Sequence, residues 1–208
     1  MTTTTNLRTV KMVQYALFTA IIILMSFTPI GYIKTPAVEI TLIVIPVTVG
    51  AIMMGPAGGA FLGGVFGITS FIQCFGYSPF GATLLGINPV ATFILCLVPR
   101  ILMGWLAGLI FMALKKNDRT RHISYAAASL AGPLLNTVFF MGALILFFYN
   151  TDYIQGLATG YGTSNPITFV LAFVAVNGLI EAGVCFVLGA AISKTLEVVA
   201  RRSSPNSK

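Results

Sequence analysis

Two ionisable side chains stand inside long apolar runs of this chain, Arg100 and Glu181. A charge at membrane depth is costly, so such groups default to a functional reading. Two chemistries are open to Arg100. It can pair with Glu181, which neutralises both groups, or its planar fork can grip the carboxylate of an anionic solute in a dry site. Asn177 precedes Glu181 by four residues and shares its helical face. Asn136 and Thr137 lie within another apolar run, and Gln73 lies near the end of a third. The amides can serve either as interhelical hydrogen-bond partners or as solute contacts. Tyr32, Thr35, Glu39, Tyr77, Asn88, Tyr149, Tyr153 and Tyr161 gather on the opposite side from the basic loops, where tyrosines chiefly form an interfacial belt.

Other chemistry lacks its components. No G-x-x-x-x-G-K-[ST] phosphate cradle occurs, nor H-E-x-x-H, nor G-x-S-x-G. The single histidine, His122, falls in a basic loop. Cys74, Cys96 and Cys185 are scattered through apolar runs without C-x-x-C spacing and read as small buried hydrophobes. No metal, cofactor or catalytic site is expected, and the chain reads as a non-enzyme.

The elements that position these residues follow from composition. Of 208 residues, 57% are hydrophobic and 8% charged, with a mean hydropathy of +0.93. Soluble domains carry about 25% charged residues, so the class is an all-α integral membrane bundle. Six helices are expected, at about Met12–Pro29, Glu39–Met54, Ala57–Phe75, Ala91–Leu114, Ile123–Tyr149 and Ile167–Leu196. A short or interfacial helix within residues 80–90 is the main alternative, and it leaves the parity unchanged. The first run continues too far for a cleaved signal and is read as a retained span. The layout is an amino-terminal segment 1–11, one membrane domain 12–196 and a basic tail 197–208.

The formal net charge is +7. Arg8 and Lys11, then Lys115, Lys116, Arg119 and Arg121, then Lys194, Arg201, Arg202 and Lys208 account for ten of the twelve basic residues. With six spans all three groups fall on one side, which places both termini in the cytoplasm of a cell-membrane protein. Lys34 lies on the other side, with Glu39 and Asp152 near it, and Arg100 is buried roughly 13 Å into the fourth span. Topology accounts for the basic bias, and no nucleic-acid partner is expected.

Glycines recur every four residues in the third span, at Gly55, Gly59, Gly63 and Gly67, with Ala60 and Gly64 widening the face. Gly104 and Gly108 repeat the spacing in the fourth span, and Gly178, Ala182 and Ala190 do so in part in the sixth. Small residues let membrane helices approach at backbone distance, so internal packing is the reading for spans three and four. Ala16 and Ala20 make an A-x-x-x-A face on the first span, which is suited to internal packing or to a separate subunit.

ALFTA, then PIGYIKTPAVEITLIVIPVTVGAIMMGPAGGAFLGGVFGITS, LVPRILMGWLAG, GPLLNTVFFMGALIL and VNGLIEAGV together resemble the substrate-binding S-components of energy-coupling factor (ECF) vitamin transporters. Within that family the chain is most similar to the pantothenate-type branch, with folate-type and other vitamin branches as rivals. The resemblance implies capture of a vitamin at the outer face and assembly with a transmembrane coupling subunit and two cytoplasmic ATPases. Release would follow by rotation within the lipid. It makes Ala16 and Ala20 coupling-subunit contacts and places the pocket among the outer halves of spans four to six. Arg100, Asn88, Gln73, Asn177, Tyr32 and Asn136 are then the candidate vitamin contacts, one cation among hydrogen-bonding groups. A flat-ring vitamin would prefer aromatic stacking platforms, and the only tryptophan, Trp105, lies deep in span four, although sixteen Phe and seven Tyr leave other platforms open. A self-sufficient ion-coupled carrier and a solute-free assembly subunit are the competing classes.

Overall fold

The computed structural model describes residues 7–29, 31–34, 39–115, 122–160, 162–163 and 165–171. It is a helical bundle with one small hairpin. The first helix, α1 (Leu7–Ser26), ends three residues before Pro29, since the residue preceding a proline is pushed out of helical geometry. Two three-residue strands follow, β1 (Tyr32–Lys34) and β2 (Glu39–Thr41), antiparallel with Tyr32 opposite Thr41 and Lys34 opposite Glu39. This corrects the expectation of helix from Glu39 onward. The β-branched run beginning at Ile40 starts as strand, and α2 (Val44–Met54) is only 11 residues long. At 1.5 Å per residue it covers about 16 Å, roughly half a hydrocarbon core. Residues Val44 to Ile52 are all buried, so this helix is enclosed by the bundle.

Gly55 makes the turn that follows, with φ of +83° and open space around it. It is therefore a helix stop, and the packing stripe begins one turn later. Pro56 occupies the first turn of α3 (Pro56–Gln73), where a missing N–H costs nothing. The link after α3 contains the short helix α4 (Pro79–Ile87), capped by Ser78, whose Oγ accepts from Gly81 N at 3.3 Å. The long helices α5 (Pro89–Lys115) and α6 (His122–Phe148) fall where expected. A further short helix, α7 (Asp152–Gly160), adds to the expected elements; it buries Ile154 and Ala158 and carries Asp152 in its first turn. Residues 166–171 are helical, while the remainder of the expected sixth span, with Asn177, Glu181 and Cys185, lies outside the described residues.

Three described helices are long and apolar enough to cross a membrane, Arg8–Ser26, Pro89–Lys115 and Ser124–Phe148. The glycine stripe packs as its spacing implies. A Cβ at Gly59 would strike the Gly104 carbonyl, one at Gly63 the Arg100 carbonyl, and one at Gly67 would come within 2.9 Å of Leu97 Cα. Gly108 lies against Pro56. These contacts run in opposite senses along the two helices, so α3 and α5 are antiparallel and touch through their backbones. Gly64 faces looser surroundings, with Ile101 Cγ1 at 3.8 Å.

One apolar cluster joins Phe18, Ile22, Val47, Leu62, Phe66 and Met103 across α1, α2, α3 and α5. A second joins Leu84, Leu95, Leu144, Phe148, Ile154 and Phe169, drawing α4 and α7 onto the start of α5 and the end of α6. Phe80 of α4 meets Tyr153 of α7 at 6.0 Å between centroids. The hairpin, α4 and α7 thus cover one end of the bundle. Pro56 lies level with Gly108, and Tyr15 Oη approaches Gly58, so the amino-terminal half of α1 and the Lys115 end of α5 share the other end.

Candidate functional site

Arg100 is buried near the middle of the bundle on α5. Its guanidinium carbon lies 4.7 Å from the ring centroid of Phe140 on α6 and 5.5 Å from that of Phe66 on α3. Both are cation–π distances, each worth about 0.5–2 kcal/mol. Nη1 donates to the Leu95 carbonyl at 2.7 Å. A guanidinium carries five N–H donors, and Nε has no hydrogen-bond partner among the described residues. Two aromatic faces and one carbonyl hold the cation in place without cancelling its charge, and no described carboxylate meets it. Glu181, the expected ion-pair partner, lies outside the described residues.

The other candidates lie on several elements of the bundle. Asn136 is buried on α6, one turn before Phe140 on the same face, and its Oδ1 has no partner among the described residues. Gln73 is buried at the end of α3, where Nε2 donates to the Ser26 carbonyl. That bond ties α3 to the carboxyl end of α1, whose last carbonyls need partners. The same tie includes Ser26 Oγ to Thr69 Oγ1 at 2.9 Å. Asn88 is exposed and caps α5, with Oδ1 accepting from Ala91 N at 3.1 Å and Pro89 as the first helical residue. Tyr32 is half-buried against the cluster that contains Phe66. The structure therefore sets Arg100 against Phe140, one turn from Asn136 on α6, gives Gln73 and Asn88 structural bonds, and places Tyr32 on the hairpin. Asn177 falls outside the described residues.

Three features escape a reading of the sequence. Phe66 and Phe140 are the walls of the cation, and the one available signal for Phe140 is its position four residues after Asn136. Trp105 is exposed on the outside of α5, so it offers no stacking platform inside the bundle. Cys74 and Cys96 are buried, as expected of small hydrophobes, but they are adjacent, with Sγ atoms 3.8 Å apart. Cys96 stands one helical turn before Arg100, and Cys74 follows Gln73.

On α1, Phe18, Ile22 and Ser26 turn inward. Ala16 and Ala20 turn outward together with Val13, Leu17 and Leu24. Of the three helices long and apolar enough to cross a membrane, α1 is the least buried, 17% against 44% and 28%. The A-x-x-x-A face is not consumed by packing within the described chain.

The sequence pattern of the family described as "ECF transporter, substrate-specific component" matches residues 10–193. The chain belongs to this family. It is similar to the "Pantothenate transporter PanT" of Leuconostoc mesenteroides, 30% identical over 205 residues covering 95% of this chain and 97% of the relative. It is also similar to the "Pantothenic acid transporter PanT" of Lactococcus lactis, 32% identical over 171 residues covering 76% and 78%. As a substrate-specific component of an ECF transporter it is a membrane-embedded, multi-pass transport subunit.

Proposed function

We propose that this subunit captures pantothenate at the outer face of the cell membrane and delivers it inward by reorienting against a coupling subunit driven by two ATPases. The observation that carries the substrate is the state of Arg100. A cation buried between two phenyl rings, with Nε unpartnered among the described residues, is prepared for a carboxylate. Pantothenate supplies one, and its amide and hydroxyls suit the neighbouring Asn136 amide. The names of the two relatives support the same substrate.

Six spans with both termini in the cytoplasm fit the charge distribution. Arg8 and Lys11 share one end of the bundle with Lys115, and basic residues favour the cytoplasmic side. The covered end, with the hairpin, α4 and α7, then faces outward and forms the mouth through which the vitamin enters. The outward Ala16–Ala20 face is the docking surface for the coupling subunit, because small residues let a second helix approach at backbone distance.

Calorimetry on the purified chain tests the substrate. Pantothenate should bind, and panthenol, which carries an alcohol in place of the carboxylate, should bind much more weakly. Arg100→Ala should cost pantothenate about tenfold or more in affinity, the loss of a charge-assisted pair, and leave panthenol unchanged. Equal affinity of the native chain for the two ligands would refute the assignment.

A further inference from the structure

Arg100 follows a proline inside a helix. Pro99 has no N–H, so the carbonyl four residues earlier loses its intrahelical donor. That carbonyl belongs to Leu95, and it is the one that accepts from Arg100 Nη1 at 2.7 Å. The buried oxygen left over by the proline and the buried cation satisfy one another.

We propose that Pro99 is a positioning residue for the solute-binding cation, holding the Arg100 guanidinium toward the covered end of the bundle by leaving the Leu95 carbonyl free to accept from it. The proposal rests on the reading of Arg100 as the carboxylate contact. A long cationic side chain in a membrane otherwise snorkels toward the nearest water. Here it is held at three points, by the Leu95 oxygen and by the faces of Phe66 and Phe140. Leu95 itself is packed among Leu84, Leu144 and Ile154, beneath the short helices α4 and α7. A bond to its carbonyl therefore directs the fork to that end. The backbone of Arg100 is fixed as well, because Gly63 lies directly against the Arg100 carbonyl. The geometry leaves Nε for the ligand and removes the rotamer search that a free arginine would make on binding.

The test replaces the missing donor. In Pro99→Ala the restored N–H competes for the Leu95 oxygen and draws it back along the helix axis. Pantothenate affinity should fall about tenfold, the value of one charge-assisted hydrogen bond, with panthenol affinity unchanged. Lactate in place of residue 99, an alanine analogue with an ester oxygen where the N–H would be, should restore the affinity. In an Arg100→Gln background Pro99→Ala should have no effect. Pro133→Ala, which alters the proline of α6, should leave pantothenate selectivity intact. Unchanged selectivity in Pro99→Ala, or the same loss in the Arg100→Gln background, would overturn the proposal.

If the native chain bound no pantothenate, the substrate reading would fail by itself, and a second measurement still decides the role of Pro99. The Arg100 Nη resonance in a nitrogen-15 spectrum should exchange slowly in the native protein and rapidly in Pro99→Ala. Identical exchange in the two proteins would overturn the positioning role.

Discussion

Two adjacent glycines of α3 should respond to the same substitution with opposite signs. A Cβ at Gly63 falls inside the Arg100 carbonyl, 2.8 Å from its carbon and 3.1 Å from Ile101 Cα, all backbone atoms that cannot rotate away. The α3 and α5 axes have to part by well over half an ångström to admit it. At Gly64 the nearest atom is Ile101 Cγ1 at 3.8 Å, an ordinary contact. Alanine is favoured over glycine in a helix by about 0.8–1.0 kcal/mol, and overpacking a close contact costs about 1–3 kcal/mol. Gly64→Ala should therefore stabilise the protein by up to about 1 kcal/mol, and Gly63→Ala, whose clash is with fixed backbone, should destabilise it by up to about 2 kcal/mol net. For a chain of this size the two melting temperatures should differ by roughly 5–10 °C. A thiol-reactive fluorophore reports the transition, because Cys74 and Cys96 are buried in the folded state. Gly63→Ala should also weaken pantothenate binding, since the Arg100 backbone moves with the helix. Equal melting shifts for the two alanines would refute backbone contact along this seam.

Ala20→Trp should leave pantothenate binding by the isolated chain unchanged and abolish ATP-driven uptake by the reconstituted transporter; transport at the native rate would remove the docking role from the α1 face. Diamide should oxidise Cys74 and Cys96 to a disulfide, two protons and two electrons passing from the thiols to the reagent, because their sulfurs are 3.8 Å apart. Intact mass should fall by two hydrogens in the native chain and not in Cys96→Ser, and a native chain that resists would contradict the antiparallel register of α3 and α5. Asn88→Ala should lower stability by about 1 kcal/mol through loss of the cap, while Asn88→Asp keeps an acceptor oxygen and melts like the native protein. Calorimetry then separates the two roles of Asn88: native pantothenate affinity in Asn88→Asp confines the residue to capping.

The backbone of this bundle was legible where local chemistry had one solution. Glycines at intervals of four in α3 and α5 could serve close helix packing and little else, and Gly59, Gly63 and Gly67 meet Gly104, Arg100 and Leu97 of α5 as their spacing implies. The entry to α2 was not legible, because a run such as EITLIVIP is as apolar for a strand as for a buried helix. Around the site the limit was the shared chemistry of amides. Asn88 before Pro89 is a helix start, yet an amide near a membrane surface looks equally like a ligand contact. The Gln73 bond to Ser26 and the Cys74–Cys96 contact join residues 47 and 22 positions apart, and such pairings depend on how whole helices are registered. Arg100 stood out because a cation in an apolar run admits few explanations, whereas its walls, Phe66 and Phe140, are two among sixteen phenylalanines.

The fastening of α1 has a mechanical consequence. At 20 residues it is a rod about 30 Å long, with its outward face free along much of its length and a polar clasp at one end, where Ser26 meets Thr69 and Gln73. The rod is thus fastened to α3 at its carboxyl end by this clasp, and the clasp lies next in sequence to Cys74, whose sulfur meets that of Cys96 one helical turn from the buried cation.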